Sequence, residues 1–76
     1  MKIRKNIDLT QLEKFGYRYQ ENLIFPTYRK VVQSGKKKTI IEILVLDRTI
    51  FINRRKVHSA DNFLLIRDLK LADFLE

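Results

Sequence analysis

The chain has 76 residues, a formal net charge of +7 from 16 Lys and Arg against nine Asp and Glu, 45% hydrophobic residues, one histidine and no cysteine. That length holds one domain, 1–76, with a thin stability margin, because so short a chain buries only about 60% of its unfolded surface. Missing cysteines exclude disulfides and thiolate metal sites, a lone histidine leaves no metal cluster to build, and the positive charge favours acidic partners while also aiding solubility.

Residues 1–6 are basic but lead into Asp8 and Gln11 rather than an apolar core, so no secretory signal is expected. The longest apolar run, 40–46, is interrupted by Glu42 and falls far short of the roughly 20 residues a spanning helix needs. A cytoplasmic location without a membrane partner is the expectation.

The first expected element is a short helix. Asp8 with Gln11 three positions on has the form of a capping box, Leu9, Leu12 and Phe15 mark one apolar face, and Gly16 supplies a left-handed stop. The alternation Tyr17-Arg18-Tyr19-Gln20 predicts a strand, turned by Glu21-Asn22. Pro26 cannot donate to a ladder, which makes 23–26 a connector or an edge. A strand follows over 27–33, then a turn at Ser34-Gly35 before three lysines.

Residues 39–46, rich in β-branched side chains, form the strongest predicted strand. Asp47-Arg48 reads as a two-residue turn into an antiparallel partner over 49–53. The period then changes: Ser59 or Asp61 caps a helix with Leu65, Ile66, Leu69 and Ala72 on one face. The expected fold class is α+β, a four-stranded antiparallel β-meander flanked by a short N-terminal helix and a C-terminal helix, in the order α-β-β-β-β-α.

With Asp47-Arg48 as the turn, Val45 faces Ile50, Leu44 faces Phe51 and Ile43 faces Ile52. Side chains alternate along a strand, so Ile41, Ile43, Val45, Ile50 and Ile52 share one face, which should receive the helices. The opposite face mixes Glu42, Thr49 and Asn53 with Ile40, Leu44, Leu46 and Phe51. So much apolar surface facing solvent is unusual, and these four are the candidate protein interface, covered either by a partner or second copy or by the chain's own Tyr and Lys stems.

Two cationic runs stand out: Lys36, Lys37 and Lys38, and Arg54, Arg55 and Lys56. The same register puts Arg55 opposite Ile40 and Arg54 opposite Ile41, pooling six charges at one sheet end, with Arg29 and Lys30 extending them. Such a patch suits nucleic acid, and neutralising about five duplex phosphates would give a log K against log salt slope of about −4.5. No helix offers base-reading side chains, so the binding expected is not sequence-specific. Tyr17, Tyr19 and Tyr28 either stack on bases or sit half-buried in the sheet. The plain alternative is a solvated sheet end whose lysines guard against edge pairing.

An enzyme is not expected. His58, Ser59 and Asp61 have triad residue types but lie within four positions, where a loop entering a helix cap is the simpler account. No Gly-rich phosphate loop is present. No cofactor, metal or small-molecule substrate is indicated. Glu42 falls opposite Arg29, which predicts a cross-strand ion pair.

The opening Asp8-Leu9-Thr10-Gln11-Leu12-Glu13-Lys14-Phe15-Gly16-Tyr17, the strand Arg48-Thr49-Ile50-Phe51-Ile52 and the close Asp68-Leu69-Lys70-Leu71-Ala72-Asp73-Phe74-Leu75-Glu76, about half the chain, together resemble small phage- and prophage-type proteins of Gram-positive bacteria. The resemblance carries no catalytic motif. It implies an accessory role: binding a host or phage protein, or nucleic acid. A net charge of +7 argues against the DNA-mimicking kind, which needs an acidic surface. The leading expectation is thus a small basic binding module acting through a protein partner or self-association, with nucleic acid as the alternative partner.

Overall fold

The computed structural model describes residues 1–21, 24–57 and 65–76. The expected caps Ser59 and Asp61, and His58 beside them, lie outside these residues. A 3-10 helix spans Leu9–Phe15, followed by β1 (Arg18–Gln20), β2 (Thr27–Ser34), β3 (Lys37–Leu44), β4 (Ile50–Ile52), β5 (Arg55–Lys56) and a short helix α1 (Arg67–Leu71). The strands form one antiparallel sheet in the order β1-β2-β3-β4-β5. The α+β meander therefore holds, with five strands rather than four.

The fifth strand arises because the chain reverses at Asn53 and Arg54 instead of running on. Both take left-handed backbone angles, φ 51° and 66°, and Arg55 returns opposite Ile52. Two positive φ values in a two-residue turn match the twist of the flanking strands, and Asn accepts that geometry more readily than Arg. Asn53 also closes the neighbouring ladder: the Ile40 N–H donates to Asn53 Oδ1 at 3.0 Å, and the Asn53 N–H donates to the Ile40 carbonyl at 2.8 Å.

The β2–β3 hairpin has the expected register, Arg29 opposite Glu42, with Gly35 at φ 61° opening its two-residue turn. That angle suits glycine, which has no Cβ to clash. The β3–β4 register differs from expectation. Ile43 pairs with Ile50, and Ile41 with Ile52, a slip of two residues. Residues 45–48 form a longer loop, in which Asp47 Oδ1 accepts from the Thr49 N–H at 3.0 Å and Arg48 is left-handed, φ 65°. The side-chain carboxylate replaces the tight two-residue turn with a wider one. An even slip leaves the side chains that stay paired, Ile41, Glu42, Ile43, Ile50, Phe51 and Ile52, on their expected faces.

Accordingly Ile41, Ile43, Ile50 and Ile52 are buried, together with Leu12 of the 3-10 helix, Tyr17, Tyr28, Val57, Ile66, Leu69 and Phe74. Each such aliphatic side chain contributes about 2 kcal/mol through burial. Val45, expected among them, leaves the strand and is only half-buried. The Phe15 ring meets Phe74 edge-on with centroids 5.3 Å apart, joining the 3-10 helix to the C-terminal segment.

Asp8 caps the first helix by accepting from the Thr10 N–H at 3.0 Å and the Thr10 hydroxyl at 2.8 Å, and Gly16 ends it at φ 89°. Helix α1 is one turn long, with Ile66 and Leu69 buried, Leu65 half-buried and Ala72 exposed. Asp73 then turns left-handed, and the chain peels away to pair Leu75 with Ile3. Residues 1–3 continue the line of β5: the Ile50 N–H donates to the Met1 carbonyl, and Lys2 bridges to Thr49. Ile3 is completely buried there, a role its local sequence does not announce.

Candidate functional site

The helices and the terminal segments pack on one face of the sheet, and the other face carries a cross-strand row. Arg18 stands opposite Arg29, Arg29 opposite Glu42, Glu42 opposite Phe51, and Phe51 opposite Lys56. Directly opposed residues point to the same side, so this row crosses all five strands, a span of roughly 19 Å at about 4.8 Å per strand step. Gln20, Thr27 and Leu44 line up on one side of it, and Val31 and Ile40 on the other. Three cations, one carboxylate and one phenyl ring thus share one row, flanked by Gln20, Thr27 and the apolar Leu44, Val31 and Ile40.

Two depressions mark this face. One, of about 410 Å³, is lined by Gly16, Arg18, Gln20, Arg29 and Val31. The other, of about 320 Å³, is lined by Phe25, Thr27, Glu42, Leu44, Phe51 and Arg54. A larger one, about 500 Å³, lies between the 3-10 helix and β1 and gathers only Glu13 and Arg18 as charged residues.

Polar groups on the uncovered face lack partners. Arg29 and Glu42, though directly opposite, form no ion pair among the described residues, contrary to expectation. Arg29 Nε is buried without a hydrogen-bond partner there, and so is Thr27 Oγ1, on a residue only 5% exposed. Buried polar atoms are normally satisfied, and the exceptions call for an explanation.

The expected site residues are distributed rather than pooled. Lys36 sits in the β2–β3 turn, with Lys37 and Lys38 opening β3, all three exposed. Arg54 occupies the β4–β5 turn at the same end of the sheet. Its turn lies level with Ile40, so the lysine hairpin projects about 10 Å beyond it, at ~3.4 Å per residue. Arg55 pairs with Ile52 on the helix-covered side and Lys56 with Phe51 on the uncovered side, so neither lies opposite β3 as expected. Of the apolar candidates, Ile40, Leu44 and Phe51 lie half-buried on the uncovered face, whereas Leu46 stands 71% exposed in the 45–48 loop, off the sheet.

No family model, curated protein or solved structure matches this chain. The site must therefore be read from its own chemistry. Among the described residues no three His, Cys, Asp or Glu side chains come together, and no helix is long and apolar enough to cross a membrane.

Sequence reasoning passed over Arg18, Phe25 and Thr27 as members of this face and took Glu42 for one half of an ion pair. The alternation of β2 and the legible β2–β3 register were enough to place Thr27, Arg29 and Val31 together. Arg18 needed the β1 register, and Glu42 beside Phe51 needed the slipped β3–β4 register.

Proposed function

We propose that this protein is a binding module that holds single-stranded nucleic acid across the uncovered face of its sheet. The observation that supports this reading most is the five-residue row Arg18-Arg29-Glu42-Phe51-Lys56. Cations at both ends of the row provide phosphate contacts, and Phe51 with the half-exposed Phe25 provides aromatic surface on which unpaired bases stack. Bases inside a duplex do not offer their faces to a sheet, so the aromatic content points to single strands. The exposed lysine hairpin adds a longer-range field that draws polyanions in.

A second reading is an accessory protein that docks an acidic protein partner, in keeping with the phage-type resemblance. It is favoured by the exposed apolar side chains Ile24, Phe25, Val31 and Leu46. Face-to-face pairing of two copies is disfavoured, because it would press two faces of net positive charge together.

Fluorescence anisotropy of a labelled oligonucleotide against the whole chain tests the proposal. Binding should favour single strand over duplex and fall with salt. A log K against log salt slope of about −3 is expected for four phosphates at roughly 0.7 each. Arg18→Glu and Lys56→Glu, both at exposed positions, should each weaken binding by about ten-fold without lowering the melting temperature. Absence of binding even at low salt would overturn the reading.

A further inference from the structure

We infer that the 320 Å³ groove on the uncovered face is a subsite for one unpaired base bearing an exocyclic amino group, with Glu42 as the group that selects it. This rests on the single-strand reading and adds a base preference to it. The groove is at the small end of ligand pockets, which suits a single ring system rather than a folded partner. Phe25, Leu44 and Phe51 give it apolar and aromatic walls, and Thr27, Glu42 and Arg54 give it three polar groups.

Two of those polar groups have unused hydrogen-bonding capacity among the described residues. Glu42 has no cation within ion-pair distance among the described residues, although Arg29 stands across from it. Thr27, two positions from Arg29 on the same strand face, has a buried Oγ1 with no partner there. An ionised carboxylate only accepts hydrogen bonds, whereas a threonine hydroxyl both donates and accepts. The pair therefore matches an edge that presents an amine beside a ring nitrogen. On cytosine, the smallest such base, the N4 amine donates to Glu42 while the Thr27 hydroxyl donates to N3. Carboxylate to cytosine N4 is an established readout pairing. Uracil has a carbonyl oxygen in place of that amine, and two acceptors facing each other cost binding energy.

Charge decides the kind of occupant. Among the described residues the cross-strand row and the groove carry Arg18, Arg29, Arg54 and Lys56 against one carboxylate, so the occupant is anionic along its length and donates hydrogen bonds at one point. A single-stranded nucleic acid has both properties, and a second copy of this cationic face lacks the first.

The test compares oligodeoxycytidine with oligodeoxyuridine of equal length by anisotropy on the whole chain. These probes differ only along the edge facing Glu42 and Thr27, where uracil replaces the amine by a carbonyl oxygen and the accepting N3 by an N–H, which the Thr27 hydroxyl can accept. Cytidine should bind about ten-fold tighter, and Glu42→Gln, nearly isosteric, should bring the two within about two-fold, with far-UV circular dichroism confirming the fold. Comparison of the two probes on the unaltered chain needs no variant. Equal affinity of the two probes would overturn the base preference and leave single-strand binding standing. Failure to bind either would overturn both, and light scattering would then distinguish a second copy on this face from a strict monomer.

Discussion

Lys30 Nζ lies 3.2 Å from Asp68 Oδ2 and 5.4 Å from the centroid of the Tyr17 ring, fastening α1 to the covered face of the sheet. Its chain neighbour Arg29 points the other way and has no acid partner among the described residues. Adjacent cations on one strand thus differ in setting: Lys30 is held in an ion pair, whereas Arg29 Nε has no hydrogen-bond partner among the described residues. Because about a third of the Asp68 side chain is exposed, water weakens the ion pair. A double-mutant cycle of Lys30→Met and Asp68→Asn, read by urea unfolding, should give a coupling of about 0.5–1 kcal/mol. Arg29→Met should leave stability nearly unchanged and weaken oligonucleotide binding.

Arg54 holds a left-handed backbone, φ 66°, that costs an L residue about 1 kcal/mol or more. Arg54→Gly turns the β4–β5 turn into Asn-Gly and should stabilise the fold by about 1 kcal/mol, raising the melting temperature by roughly 4–8 °C. The same change removes a cation from the groove, so oligonucleotide affinity should fall. A variant that melts higher yet binds less would separate the two roles.

Ile3 is fully buried between the start of β4 and the C-terminal segment. Ile3→Ala should cost about 2–4 kcal/mol through lost burial and the cavity left behind. A domain of this size has roughly 4–11 kcal/mol of total stability. Denaturant midpoints should therefore drop steeply, with hydrogen exchange accelerating first in the bonds to Met1 and Lys2.

Asp8 and Asp47 accept backbone N–H bonds from Thr10 and Thr49, and these bonds hold both carboxyls below their usual range. Protonation in the unfolded chain then precedes protonation in the fold. Their stabilisation is present above about pH 4 and is lost as pH falls through the lower folded values. Asp47→Asn should flatten the acid limb of a melting-temperature against pH curve.

Tyr17 behaves in the opposite sense. Burial pushes its hydroxyl pKa up, with the Asp68 carboxylate adding to the effect. The unfolded chain ionises first as pH climbs past about 10, so the fold loses stability there. The hydroxyl has no hydrogen-bond partner among the described residues. Tyr17→Phe should therefore hold or raise the melting temperature at neutral pH and soften the alkaline limb.

Local physics, legible in the chain itself, set the faces of the sheet. The alternation in 39–46 and 49–53 identified Ile41, Ile43, Ile50 and Ile52 as core, and Gly35 made the β2–β3 register readable down to Arg29 opposite Glu42. Strand period survives an even slip, which is why these assignments outlast the error at Asp47-Arg48. Tertiary structure decided the rest. Arg54 in a glycine-like conformation conceals the β4–β5 turn, residues 1–3 find their partners in β4 and the C-terminal segment, and the row from Arg18 to Lys56 exists only once five strands lie side by side. Periodicity is a property of neighbours in sequence, whereas a binding face is assembled from residues whose adjacency is created by folding.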